Sequence, residues 1–178
     1  KLAALFHDIA KPQTKKKDDT GRTRFLGHPK LGATMAATRL GQMRVSSRGI
    51  TMVSKMVEHH LRPMHMMQGV DSPTRRAVFR YFRDVGDVAI DTLYLSLADH
   101  LAAKGPELST DEWIGHARMV GRVLDAHDEA PTGDGSPAGP GKLVTGNDLM
   151  EHFSLEPGPM IGSMLEKIDE ARAAGEVT

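Results

Sequence analysis

The chain has 178 residues, with 23 Lys plus Arg against 23 Asp plus Glu, nine histidines and no cysteine. This length accommodates one main domain with a real core and leaves room for one small appendage. Zero formal net charge excludes a global pull toward nucleic acid or membrane, so any such binding is local. The absence of cysteine excludes disulfides and thiolate metal sites, leaves His, Asp and Glu as metal ligands, and fits a cytoplasmic protein.

No apolar stretch approaches the ~20 residues of a membrane-spanning helix, and no basic-then-apolar leader precedes "KLAALF". The chain is therefore read as soluble, with no membrane partner. It opens at Lys1 inside an apolar pattern and is read as a fragment whose upstream part is missing. Regular apolar spacing, with few β-branched or aromatic runs, predicts an all-α class. Residues 1–9 form the end of a helix halted by "KPQ", because proline lacks an N–H and disfavours a helical residue before it. "TKKKDDTGRTRFLG", residues 14–27, is a charged loop with "DDTG" as its turn. A second helix runs from His28 to Gln42, with Pro29 in its first turn.

Ser47 is a candidate cap for a third helix, where Ile50, Val53, Val57 and Leu61 keep helical spacing until Pro63. A fourth helix begins in "SPTRRAVFRYF" with Ser72 or Thr74 near its cap; a fifth covers Val88–Ala103 and a sixth Thr110–His127. "APTGDGSPAGPG", residues 130–141, is too rich in Pro, Gly and Ser to build a core and reads as a linker. Residues 142–178 then read as two helices, the second led by Pro157–Pro159 and closed by Gly175. No internal repeat is visible.

His7 and Asp8 are adjacent on a helix, about 100° apart around its axis, so an imidazole and a hard carboxylate reach one ion at that edge. A satisfied core histidine is the plain alternative for His7. Asp99 shares a helical face with Val88, Leu95 and Ala102, and a carboxylate there is costly to bury unless it is paired, hydrogen-bonded or bound to a cation. A metal explains it, and so does pairing with a core arginine or capping a neighbouring helix. His60 falls on the face of Ile50, Val53 and Val57, whereas His59 points the other way.

The pieces "HD" at 7–8 with Lys11, "GHPKLGA" at 27–33, "EHHLRP" at 58–63 and "LADH" at 97–100 occur in the order seen in HD-domain metal-dependent phosphohydrolases. The chain resembles more closely the HD region of bacterial tRNA nucleotidyltransferases and poly(A) polymerases. "LVTGNDLME" followed by "LEPGPMIGSMLEKIDEARAAGEV" is similar to the C-terminal unit of that family. The resemblance implies an all-helical HD bundle over residues 1–129, truncated at its N-terminus, then the linker and a small helical tail at 142–178. It implies His7, Asp8 and Asp99 as ligands of a divalent ion, Mg, Mn, Ni or Fe, with His28, His59 and His60 completing a second metal position or contacting phosphate. Lys11 would neutralise a bound phosphate. Lys11, His28 and His60 become the candidate catalytic residues, and the reaction implied is phosphoester hydrolysis. RNA, specifically tRNA, or a nucleotide phosphate is the implied partner, with a nucleotidyltransferase head missing in cis.

The chain departs from that pattern in two respects: HD domains usually take a further ligand, generally histidine, from a helix upstream of the "HD" pair, and the head's "GS" and "DxD" segment is absent. The stretch is therefore not expected to add nucleotides to RNA. The alternatives are a non-catalytic RNA-binding spacer and an independent HD phosphohydrolase.

Met64, His65, Met66 and Met67 offer soft ligands that suit copper(I), against a packing role for methionine. "KKKDD" reads as a solvated loop rather than an RNA patch. Arg75, Arg76, Arg80 and Arg83 form either a basic stripe for RNA phosphates or an exposed face. "EPGPMIG" is either a phosphate contact near Gly158–Gly162 or simply a helix start.

Overall fold

The computed structural model describes residues 1–66, 73–128 and 143–177. In chain order these form α1 (Leu2–Phe6), α2 (Lys11–Thr14), β1 (Lys16–Lys17), β2 (Thr23–Arg24), α3 (His28–Gln42), α4 (Ser47–His59) and α5 (Arg62–His65). There follow α6 (Arg75–Val85), α7 (Ala89–Lys104), α8 (Thr110–Asp128), α9 (Gly146–Phe153) and α10 (Pro159–Ala173). Short 3-10 turns at Gly86–Val88 and Gly105–Glu107 flank α7. The all-α expectation holds: among the described residues the strands are one antiparallel pair with Lys16 opposite Arg24 and Lys17 opposite Thr23. No helix among them is long and apolar enough to cross a membrane.

The chain divides into two compact units: Lys1–Gly69 with Val85–Val120, and Val70–Asp84 with Gly121–Thr178. The first is built on α3 packed against α4. Phe6, Ala33, Ala36, Leu40 and Val57 are buried in its core, with Ile9, Val45, Ile50 and Val53 packed around them. Burying each large side chain of this kind contributes roughly 1.5–3 kcal/mol. Gly32 permits the close approach of the helices. A Cβ there would lie 3.2 Å from Val57 Cγ1 and 3.7 Å from the His7 carbonyl oxygen. Gly27, the N-cap of α3, has φ 79°, a left-handed conformation that glycine adopts without steric cost.

Several element ends differ from the periodicity. The first helix stops at Phe6, and Pro12 sits in the first turn of α2, where a missing N–H costs nothing, so proline here starts a turn as well as ending a helix. Ser46, not Ser47, caps α4, its Oγ accepting from Gly49 N at 3.2 Å. That helix ends at His59, and Pro63 falls inside α5. Thr74 Oγ1 accepts from Ala77 N at 3.2 Å before α6; Ser72 lies outside the described residues.

In the second unit, Glu170 of α10 receives Arg80 through two bonds of 2.9 and 2.6 Å and lies 3.1 Å from Arg76 Nε. Phe82 stacks on His127 with centroids 3.9 Å apart. These contacts group α6 and the end of α8 with the tail, although the sequence pattern assigns both helices to the segment 1–129. A capping box, Thr145 with Asp148, starts α9. The expected linker at 130–141 lies outside the described residues.

Candidate metal centre

His7 and Asp8 stand in the turn between α1 and α2, His28 opens α3, His60 follows the last residue of α4, and Asp99 lies within α7. All belong to the first unit. Each of the three histidines holds a backbone carbonyl through Nδ1: His7 to Ala4 at 2.8 Å, His28 to Phe25 at 2.8 Å, His60 to Val57 at 2.7 Å. A carbonyl oxygen only accepts, so each ring carries a proton on Nδ1 and turns its Nε2 atom inward.

Those Nε2 atoms gather around Asp8. His28 Nε2 lies 3.3 Å from His60 Nε2 and 3.4 Å from Asp8 Oδ1, a buried oxygen with no hydrogen-bond donor. On the other side, His7 Nε2 is 3.2 Å from Asp99 Oδ1 and 3.3 Å from Asp8 Oδ2. Two triads that could hold a metal ion result, Asp8–His28–His60 and His7–Asp8–Asp99, each with its atoms within 4.8 Å of one another. Acceptors facing one another without a donor repel unless a proton or cation lies between them. In the first triad this donor set, two imidazoles and a carboxylate, fits a divalent ion. The second triad is balanced by a proton: the hydrogen bond to Asp99 holds the His7 pKa above its usual value against burial. The same bond holds Asp99 below the usual carboxylate range. Burial pushes His60 down and keeps it neutral.

Lys11 donates to Asp8 Oδ2 at 2.5 Å, and its ammonium lies 5.7 Å from the centroid of the Phe25 ring. The structure thus brings together His7, Asp8, Lys11, His28, His60 and Asp99. His59, half-buried at the end of α4, enters neither triad, as its place one residue round the helix from His60 dictates. Asp99 meets a histidine rather than the arginine weighed as an alternative.

Arg75, Arg76, Gly158 and Gly162 belong to the second unit. Arg76 is taken up by Glu170 and, at 2.7 Å, by Glu176, while Gly158 is the extended N-cap of α10. Met64 and His65 are exposed, Met66 is half-buried, and Met67 lies outside the described residues. Sequence reasoning passes over His100 and His116. Their rings stack 4.5 Å apart, with Ser96 Oγ 3.5 Å from His116 Nε2, and only the "H" of "LADH" signals the pair.

The family model described as HD domain matches residues 1–104, the stretch that carries both triads. A second model, tRNA nucleotidyltransferase domain 2, putative, matches residues 142–178. The chain is 35% identical to the A-adding tRNA nucleotidyltransferase of Deinococcus radiodurans over 98% of its own length and 38% of that protein's. It is 33% identical to the CC-adding tRNA nucleotidyltransferase of Thermus thermophilus over 99% of its own length and 36% of that protein's. It therefore spans little more than a third of the length of these relatives. With more than half of its residues matched to that model, and the paired His7–Asp8 at the junction of its two candidate triads, the chain belongs to the HD-domain family.

Proposed function

We propose that the first unit hydrolyses phosphoesters of RNA or nucleotides with the help of one or two divalent ions, Mg, Mn, Ni or Fe. The reading is carried by the two facing Nε2 lone pairs and the donorless Asp8 Oδ1, a set of acceptors that lacks only a cation. His7, Asp8 and Asp99 would hold one ion, and Asp8, His28 and His60 a second. A divalent ion in such a site lowers the pKa of its bound water and polarises the phosphoryl oxygen. The Ala4, Phe25 and Val57 carbonyls orient the three imidazoles. Ion binding at His7 requires its Nε2 to give up the proton shared with Asp99. Lys11, exposed enough to swing, neutralises the phosphate. His59 remains a candidate phosphate contact.

Calorimetric titration of the chelator-stripped chain with Mn2+ tests this reading. Stoichiometric binding, abolished in Asp8→Ala together with hydrolysis of a p-nitrophenyl phosphodiester, is the expected result. A wild-type chain that takes up no divalent ion sinks it.

The matches to the two relatives over nearly the whole chain support a second reading, compatible with the first. In it the chain, with the HD segment at 1–129 and the tail at 142–178, is the RNA-positioning part of a cytoplasmic tRNA-processing polypeptide that also carries a nucleotidyltransferase head. Arg75 and the Gly158–Gly162 turn are its candidate phosphate contacts. Reading the encoding DNA upstream of Lys1 tests it, and an open reading frame that begins without such a head rejects it.

A further inference from the structure

We propose that the β1–β2 hairpin of the first unit is a phosphate-tracking surface for single-stranded RNA, leading a strand end toward the metal centre. The inference rests on the phosphoester reading above and narrows its substrate to an RNA end rather than a free mononucleotide. Charge is the first observation. Residues 11–30 carry seven Lys and Arg against two Asp, in a chain whose formal charge is zero.

The second is attachment. The hairpin leaves the metal centre at Lys11, bonded to Asp8, and returns at Phe25, whose carbonyl accepts from His28 Nδ1. The 11–25 segment, α2 followed by the hairpin, is therefore held at both its ends to Asp8 and His28.

The third is how its charges are used. Lys16 stands directly opposite Arg24, a like-charge cross-strand pair that weakens a hairpin unless an anion compensates it. Asp18 compensates Arg24, whose Nε donates to it at 2.8 Å. The same carboxylate accepts from Thr20 N, Thr20 Oγ1 and Arg22 N, which closes the turn and holds its pKa down to about 2. The side chains of Lys15, Lys16, Lys17 and Arg22 make no ion pair among the described residues, and all four are exposed. Lys15 to Lys17 run in extended conformation, so Lys15 and Lys17 project to one side about 6.6 Å apart along the chain. A rigid turn with outward-facing ammonium groups at that interval suits successive phosphates of an extended strand, whereas one small phosphate uses a single cation.

The test is a salt titration of binding between the whole 178-residue chain and a short fluorescent single-stranded RNA. The triple variant Lys15→Gln/Lys16→Gln/Lys17→Gln is expected to bind at least about tenfold more weakly in low salt. Its plot of log affinity against log salt should be shallower by about 0.7 for each phosphate that is no longer neutralised. A control triple with the same charge change, Arg48→Gln/Arg118→Gln/Lys167→Gln, is expected to keep the wild-type slope. Mn2+ affinity should be the same in the hairpin variant and the wild type, which also shows that the variant is folded. An unchanged slope in the hairpin variant overturns the proposal, as does an equal weakening in the control or a drop in Mn2+ affinity in the hairpin variant. Binding of phosphatidylserine vesicles without binding of RNA overturns it too. Failure of the underlying metal reading shows separately, as a wild-type chain that takes up no Mn2+ while its RNA salt slope is still measurable.

Discussion

His28 and His60 face each other across 3.3 Å because each commits Nδ1 to a carbonyl at a helix boundary, Phe25 before α3 and Val57 in the last turn of α4. Asp8 links them to His7 and Asp99, and Lys11 holds one of its oxygens. An ammonium at that position competes with a divalent ion for the carboxylate and repels it. Lys11→Gln is therefore expected to tighten Mn2+ binding by about fivefold, equivalent to roughly 1 kcal/mol, and to weaken competition by inorganic phosphate. Titration calorimetry with and without phosphate checks both directions. His116, stacked on the His100 ring next to Asp99, offers a pH test in a residue that joins neither triad. Burial holds its pKa below 6.5, so the folded chain resists protonating it while the unfolded chain does not. Its contribution is fully present above pH 6.5 and is lost as pH falls through the lowered value. In His116→Gln the fall in melting temperature on acidification below pH 6.5 should be shallower than in the wild type.

Two glycines of "GHPKLGA" have separate jobs in α3. Gly27 takes the left-handed N-cap conformation with open space around it, so Gly27→Ala should cost about 1 kcal/mol through backbone strain alone. Gly32 lies between Val57 and the carbonyl of His7, and a larger side chain pushes the His7–Asp8 turn away from α3 and α4. Gly32→Leu should destabilise by about 1–3 kcal/mol and also weaken Mn2+ binding, whereas Gly27→Ala should leave the metal affinity nearer the wild-type value. Denaturant melts paired with metal titrations separate the two effects. In α6 three of the four arginines weighed as a stripe for RNA have a carboxylate of α10 beside them: Glu170 takes Arg76 and Arg80, and lies 3.9 Å from Arg83.

Binding to the native state alone raises stability by mass action. At free Mn2+ one hundred times Kd the first unit should gain about 2.7 kcal/mol. For a protein of this size that corresponds to a rise of about 5–10 °C in melting temperature. The shift should disappear with chelator and in Asp8→Ala. A similar rise in Asp8→Ala would mean that the ion acts elsewhere on the chain.

The helical class, the order of the helices, and the residue types available for chemistry are legible from spacing and composition, because amphipathic periodicity, proline and the absence of cysteine act locally. Asp99 stands out for the same reason, a carboxylate on a face with Val88 and Leu95, both buried in the structure. The assembly of the site is not legible. Periodicity separates His60 from His59, yet that His60 meets His28 depends on the packing of α4 against α3. The lone-pair directions depend on carbonyls at helix ends whose positions periodicity does not specify, and the ends themselves differ: Ser46 caps α4 in place of Ser47, and His7 falls just past the end of α1. The charges of α6 and of "KKKDD" show the limit most plainly. Counting does not say which of these charges is paired, because that depends on Glu170, 90 residues beyond Arg80, and on the Asp18 carboxylate, which takes Arg24. Local chemistry belongs to the sequence, whereas the pairing of distant charges and lone pairs exists only once the chain has folded.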